Sequence, residues 1–578
     1  MGYPLPPSAE QIQEYFVNVP APAANTFEIA LVLGGTVAAG AYTAGAMDFL
    51  VEALDEWTSL RNAANPDPSV PPHRTILKLI TGTSGGGVCA GVLARALAFD
   101  FPHVTRATDP TLTETGNPLY DLWVNDLSLN GFLTTSDIAQ KRFVSLLNGA
   151  TIDAAADAGV AFTAPNWRPR SWIADPLRVI LTLTNLFGIP YLTKLSAAAS
   201  EFEESFVDHA DFARFGVVYP GRPFPQPRPD EFVLSFGTDR FPQALDWPSF
   251  GEFAKGTSAF PLGFPARSLV RPMEHYRWRT AVLPGDGTAA FPTTVQPLVP
   301  DWAELASGNG QTVPSDYHFL VVDGGATDNE PIELARTSLS GVLGRNPRDA
   351  RTANRGVLLI DPFAGETGLG PASPLALPQL VWPIVQGLVQ QTRYDTSDIM
   401  LALDDTVSSR FLIAPVSASV SGGKAIASAG FGAFIGFACR AFTRYDYLLG
   451  RANAQSYLKR TFLLDAENPI FDTWPAALKN SPDFRVVDAN GRAFLPIIPL
   501  MGKAKIPESL DAWPKGKLDP ESYRDAIENR FGALVKYEGA GGLLSGVAAW
   551  AIAHLGQKGV ADLVIDAMGK ALQDWKLK

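Results

Sequence analysis

The hydrophobic pattern begins at residues 27–33 (FEIALVL), an apolar run with one acidic interruption. Such a run predicts a strand covered on both faces, as inside a parallel sheet. A glycine turn follows. Met47, Leu50, Val51 and Leu54 then recur at helical spacing and predict an amphipathic helix over 41–57. A Pro-rich loop at 66–72 leads to a second predicted strand at 75–80, and another glycine turn opens a second apolar helix ending near 97. Strand, helix, strand, helix within the first hundred residues predicts an α/β sheet fold. Further strands are predicted at 232–236, 319–322 and 357–360, each followed closely by Gly, Asp or Pro.

Residues 101–230 interrupt this alternation and are expected to form a helical insertion. Within them, 172–192 (WIADPLRVILTLTNLFGIPYL) is strongly apolar. Pro176 suits a first helical turn, so a helix is predicted from there. Leu181, Leu183, Leu186 and Phe187 on it offer either a lipid-contacting wall or a helix packed on the core. Beyond about 375 the pattern becomes helical. The expected division is an N-terminal segment 1–25, a main domain 26–375, a helical extension 376–465 and a mixed C-terminal region 466–578. The stretches 427–437 and 541–555 come nearest to membrane spans. Both are shorter than the roughly 20 apolar residues a span needs, so buried helices are expected.

Composition narrows the function. Of 578 residues, 46% are hydrophobic and 18% charged, which describes a chain with a large core. A net charge of -12 argues against nucleic acid as a partner, because phosphate neutralisation needs basic patches. Two cysteines, Cys89 and Cys439, make no disulfide framework, and no cysteine–histidine spacing suggests zinc. Cys89 lies on the apolar second helix and reads as a buried small hydrophobe. The N-terminus, MGYPLPPSAEQIQEYF, has neither a basic start nor an apolar signal core, which places the chain in the cytoplasm by default.

Candidate chemistry sits at the ends of the predicted strands. Gly82-Thr83-Ser84-Gly85-Gly86 lies between a strand and a helix, the context of a nucleophile elbow that pushes a serine hydroxyl out of the sheet. No lysine follows the glycines, which excludes a P-loop; a structural strand–helix turn stays open. A serine nucleophile needs a base. His73, His103, His209, His275, His318 and His554 are the six histidines, and none falls in a late strand-end loop where an α/β-hydrolase would carry it. Asp323 ends the strand 319–322 and is followed by Gly324 and Gly325. It reads as a base or as the side chain of an Asx turn.

Three strand-end motifs in this order resemble the patatin-like phospholipase family: a glycine turn after the first strand, GTSGG after the second, and DGG after a later one. Three further stretches add to the resemblance. Thr257-Ser258-Ala259-Phe260-Pro261 looks like the family's Ser-x-Ala-x-Pro segment, with Thr257 for the serine. Phe236-Gly237-Thr238-Asp239 looks like its Ala-Thr-Asp strand end. Asn329 and Pro331 continue the DGG motif, with Asp328 for the first of two asparagines. Residues 431–458 resemble an extension of larger bacterial members. The likeness covers about 26–100 and 231–375, and more weakly 380–460.

The resemblance implies a three-layer sandwich around a central, mostly parallel sheet. It implies a Ser84–Asp323 dyad, with Gly82, Gly86, Gly324 and Gly325 shaping the two turns and amides of Gly34, Gly35 and Thr36 forming the oxyanion hole. The implied activity is hydrolysis of lipid acyl esters without metal or cofactor, with peripheral membrane contact left open. The chain departs from the family at Thr36, Val37 and Ala39, which replace two glycines and a basic residue. An acyltransferase with the same dyad, a triad esterase and a non-catalytic lipid-binding protein are the alternatives.

Overall fold

Strand β1 (Thr26–Leu33) is buried over its whole length because helices cover both of its faces. The structure is a computed structural model that describes residues 3–139, 145–197, 200–223, 226–237, 241, 243–306, 312–363, 400–401, 404, 406–417, 422–536 and 543–578. Further strands, in chain order, include β2 (Arg74–Gly82), β3 (Ile173–Ala197), β4 (Ser200–Val218), β5 (Glu231–Ser235) and β6 (Arg267–Pro272). They continue with β7 (Thr280–Leu283), β8 (Thr294–Pro297), β9 (Asp316–Asp323), β10 (Arg355–Ile360) and β11 (Arg410–Ile413). Among the described residues nine of them form one sheet, ordered β11-β10-β1-β2-β3-β4-β5, with β9 added beside β3 and β6 beside β9. The core pairings from β11 to β3 are parallel; β3–β4, β3–β9 and β6–β9 are antiparallel.

The helices used below are α1 (Gly40–Arg61), α2 (Ser84–Ala96), α3 (Ala150–Val160), α4 (Trp247–Thr257), α5 (Ile332–Ser340) and α6 (Arg440–Arg460). Phe27, Ile29, Leu31 and Leu33 point from β1 into the larger core with α1, α2, α4 and α6. Ala30 and Val32, one residue out of phase, face Ile332, Ala335 and Leu339 of α5. That alternation makes three layers, helix–sheet–helix, as an α/β sheet with both faces covered requires. Helix α1 is covered almost all round. Among the described residues, 37–61 is the one helical stretch long and apolar enough to cross a membrane, and 94% of its apolar window is buried in the protein.

Three expectations are corrected. Residues 172–192 are not a helix: they form most of β3, the strand that joins the parallel half of the sheet to the antiparallel half. An apolar run alone does not separate a buried helix from a buried strand, and Pro176 is accommodated where the β2–β3 register shifts between Leu77 and Leu79. Hence 101–230 is not wholly an insertion, since it supplies β3 and β4. Second, 427–437 is mostly buried, with Phe431 and Gly432 exposed, but is not a helix. Turns with left-handed Phe431, Gly432 and Ala433 lead into a short 3-10 turn, Ile435–Ala438. Third, the extension is not separate from the main domain. β11 pairs with β10 at the sheet edge, and α6 packs along α1. Of the other near-span, 543–555 lies in the helix Leu543–Asp574.

Candidate active site

Strand β3 brings the two candidate residues together. β2 runs parallel along one edge of β3 and places Gly82 opposite Leu181. β9 comes from the other direction along the same edge and ends with Asp323 opposite Leu183. The two C-terminal strand ends therefore face each other across two residues of β3, roughly 7 Å. Ser84 Oγ closes the gap by donating a hydrogen bond to Asp323 Oδ2 at 2.6 Å. Both side chains are buried, and 239 residues separate them in sequence.

The local turns explain the glycines. Ser84 sits at the first position of α2 with φ +54, a left-handed conformation that lifts its hydroxyl off the sheet and stores strain at the site. A Cβ at Gly86 would collide with the carbonyl oxygens of Leu33 and Gly34, so α2 starts directly against the end of β1. A Cβ at Gly324 would collide with Thr182 of β3. Gly82 and Gly325 are likewise packed against Gly87 and Asn329.

The end of α4 and the residues just after it hold both members of the pair. Thr257 Oγ1 accepts from the Ser84 amide at 3.0 Å, so the threonine keeps the hydroxyl. The Ala259 carbonyl accepts from the Asp323 amide at 2.9 Å. From β3, Thr184 Oγ1 donates to the Asp323 carbonyl at 2.8 Å, and Thr182 Oγ1 lies 2.6 Å from Thr83 Oγ1. Sequence reasoning missed these two threonines because their segment was read as a helix. Asn329, from the DGG continuation, is buried, and its Oδ1 faces Gly35 and Gly325. Phe236 instead joins an aromatic cluster with Phe99, Trp167 and Trp247; Thr238 and Asp239 lie outside the described residues.

Burial pushes the Asp323 carboxyl up to about 7, while the Ser84 hydroxyl and the Gly325 amide (2.8 Å) donate to it and hold it down in part. A carboxylate tuned near neutrality is a far better proton acceptor than an ordinary aspartate. None of the histidines with described side chains bonds to Ser84. His73 is buried and bonded to the Ile497 carbonyl and the Trp474 indole; His103 pairs with Asp48; His209 lies beside the Asn185 carbonyl. His275 is buried against Phe232, and His318 is exposed on β9. The side chain of His554 lies outside the described residues.

The loop after β1 supplies amides, with one correction. The Gly34 amide donates to Ile360 of β10 at 3.5 Å, continuing the β1–β10 ladder, so it is already engaged. The Ala38 amide donates to Ala433. Between them, the Gly35, Thr36 and Val37 amides have no protein acceptor among the described residues. A Cβ on Gly35 would stand 3.3 Å from Ser84 Cβ, so this loop lies against the serine. Thr36 keeps an ordinary φ of -134, but Val37 takes φ +47, glycine-like geometry at the energetic cost a β-branched residue carries there. The N-terminus of α2 adds its dipole at the same point.

A narrow apolar slot of about 40 Å³ opens at Ser84. Val37, Leu122, Trp123, Phe260, Phe434 and Phe437 are prominent in its walls. Cys89 is buried behind it and accepts from the Trp123 indole at 3.1 Å; burial pushes its thiol up to about 12, which makes it inert. Leu181 and Leu183 are core residues, whereas Leu186 and Phe187, at the β3 irregularity, are exposed. A joint membrane contact by all four is therefore ruled out. Among the described residues no group of three or more His, Cys, Asp or Glu is placed to hold a metal ion.

No protein-family model matches the chain. It is 30% identical over 549 residues to the "Uncharacterized protein y4iI" of Sinorhizobium fredii (strain NBRC 101917 / NGR234), an alignment that takes in 88% of this chain and 74% of that one. Identity at that level over that share of both chains makes this chain a member of the y4iI family.

Proposed function

We propose that the chain is a serine-dependent lipid acyl hydrolase of phospholipase A or esterase type, working through a Ser84–Asp323 dyad. The observation that carries this reading is the 2.6 Å bond from Ser84 Oγ to a buried carboxylate, made at the mouth of an apolar slot. The three-layer fold and the placement of the GTSGG and DGG turns support its kinship with patatin-like phospholipases. An acyl chain lies in the slot and the ester carbonyl above Ser84. Ser84 Oγ attacks the carbonyl carbon as its proton passes to Asp323 Oδ2. The oxyanion is met by amides of the Gly35–Val37 loop and by the α2 dipole. Collapse of the tetrahedral intermediate expels the alcohol, which takes the proton from Asp323 and leaves an acyl-serine. Water then attacks, Asp323 accepts its proton, and the second collapse returns that proton to Ser84.

The test is labelling by a fluorophosphonate probe together with hydrolysis of p-nitrophenyl esters. Wild type should be labelled and active. Ser84→Ala should lose both, and Asp323→Asn should lower kcat/KM by about 10³ or more, since an amide cannot take the proton. His275 and His318 variants should stay within a few-fold of wild type. A folded Ser84→Ala protein that keeps turnover, or a folded histidine variant as inactive as Ser84→Ala, overturns the proposal.

A further inference from the structure

The loop that carries the open Gly35–Val37 amides is held from the distant, C-terminal part of the chain. The Ala38 amide donates to the Ala433 carbonyl at 3.3 Å. The backbone is strained on both sides of that bond. Val37 takes φ +47 just before the donor, and Phe431, Gly432 and Ala433 take φ +56, +61 and +64 in succession up to the acceptor. Glycine occupies only one of those positions. Other residues keep such angles where the contacts around them over-determine the backbone.

Those contacts lead back to one side chain. The Ala433 amide donates to the Ala429 carbonyl at 3.0 Å and the Ile435 amide to the Gly430 carbonyl at 3.4 Å, which closes the turn on the residues just after Ser428. The Ala427 and Ser428 amides in turn donate to the two carboxylate oxygens of Asp446, at 2.7 and 2.9 Å. Asp446 lies on α6, is fully buried and makes no ion pair among the described residues. A buried carboxylate without a cation is costly, so hydrogen-bond donors must compensate it. A second route runs through Gly436, where a Cβ would stand 2.4 Å from Ser428 Cβ and 2.7 Å from Ala38 Cβ. The segment is clamped between α6 on one side and Ala38 on the other.

We infer, on the Ser84–Asp323 reading, that Asp446 is a positioning residue for the reaction: through residues 427–436 it holds Ala38, and with it the Gly35–Val37 amides, in place beside Ser84. Asp446 touches neither the serine nor the slot. It acts on the oxyanion by fixing the Ala433 carbonyl that receives the Ala38 amide. The same segment carries Phe434 into the slot wall, so loss of Asp446 could act on the acyl chain instead, and the two effects separate by acyl length.

The experiment compares full-length wild type with Asp446→Asn, Gly436→Ala and Asn453→Ala. It measures kcat and KM on butyryl and decanoyl p-nitrophenyl esters, and hydrogen–deuterium exchange over residues 34–40. Burial pushes the Asp446 carboxyl up to about 7, so the assays are made at pH 8, where both oxygens accept. Asp446→Asn is isosteric but turns one acceptor into a donor facing an amide. It should lower kcat about tenfold on both esters, less than outright removal of an oxyanion donor, with KM within about twofold. Exchange over 34–40 should quicken, although those residues lie some 400 positions away in sequence. Gly436→Ala, which puts a methyl between Ser428 and Ala38, should act in the same direction and serves where Asp446→Asn does not fold. Asn453→Ala, on the same helix, removes bonds to Tyr42 and Val416. It should lower Tm while leaving kcat and the exchange over 34–40 as in wild type. A folded Asp446→Asn protein with wild-type kcat and exchange, a kcat loss confined to the decanoyl ester, or an equal kcat loss in Asn453→Ala overturns the inference. Failure of the Ser84 reading looks different: wild type itself would neither hydrolyse the esters nor take a fluorophosphonate label, whatever the exchange over 34–40.

Discussion

Under the proposed dyad, Asp323 ties activity to stability through one proton. Its carboxyl is an ordinary 3.8 group when solvated and sits at about 7 when buried beside Ser84. If it is the base, as proposed, it works ionised, so kcat/KM on a neutral ester should level off above about pH 7 and fall progressively below it. Stability moves the other way. Folding takes up a proton at Asp323 between about 4 and 7. Its contribution is therefore complete below the unfolded value and lost as pH climbs through the folded one. At pH 8 the ionised group costs no more than about 4 kcal/mol, at 1.36 kcal/mol per pKa unit. Asp323→Asn, isosteric and uncharged, should therefore melt several degrees above wild type at pH 8 and close to it at pH 4, while losing activity at both. Equal melting temperatures of the two proteins across that range would show that burial does not raise the carboxyl.

At the scale of elements, β3 sets the distance between the two candidate turns, because both β2 and β9 dock on its one edge. Thr184 is the point of attachment on the β9 side. Thr184→Val keeps shape and strand preference but removes the bond to the Asp323 carbonyl. It should cut kcat/KM about tenfold while changing Tm little, measured by steady-state kinetics and thermal unfolding. This is also where sequence reading stopped. β1, β2, β5, β9 and β10 were readable, since each is a short apolar run closed by glycine, aspartate or proline. So were the turns that carry Ser84 and Asp323, because the glycines packed tightly in each leave a local trace. β3 was not, because a long apolar run carries no period that separates strand from helix. Phe434 and Phe437 were not either: they reach the slot from a turn-rich segment in which position follows from tertiary packing alone. Phe434→Ala should widen the slot and shift the kcat/KM ratio of decanoyl to butyryl p-nitrophenyl esters upward several-fold. An unchanged ratio would remove Phe434 from the acyl path.

For the molecule as a whole, the extension is part of the domain. α6 crosses α1 so closely that a Cβ on Gly45 would strike the Tyr447 carbonyl, and one on Gly450 the Tyr42 carbonyl. Arg451 of α6 is fully buried among Asp48, Glu52 and Glu508, bonding Glu52 at 2.5 Å and Glu508 at 2.6 Å. A chain cut after residue 421 leaves Asp48 and the apolar face of α1 uncovered. It should lack near-ultraviolet circular dichroism and aggregate, even though Ser84, Asp323 and every strand of the main sheet are present. The same crossing sets a schedule for biosynthesis. Tyr42 must wait for Asn453, 411 residues later, before its hydroxyl finds a partner. At roughly 5–20 residues per second, that wait is on the order of 20–80 s on the ribosome. Through it the nascent chain carries a helix apolar enough to pass for a membrane span. Contacts this remote also slow the search for the native state. Demand for holding chaperones is therefore built into the topology, and weakening α6 should appear first as lost yield rather than as a lower melting point.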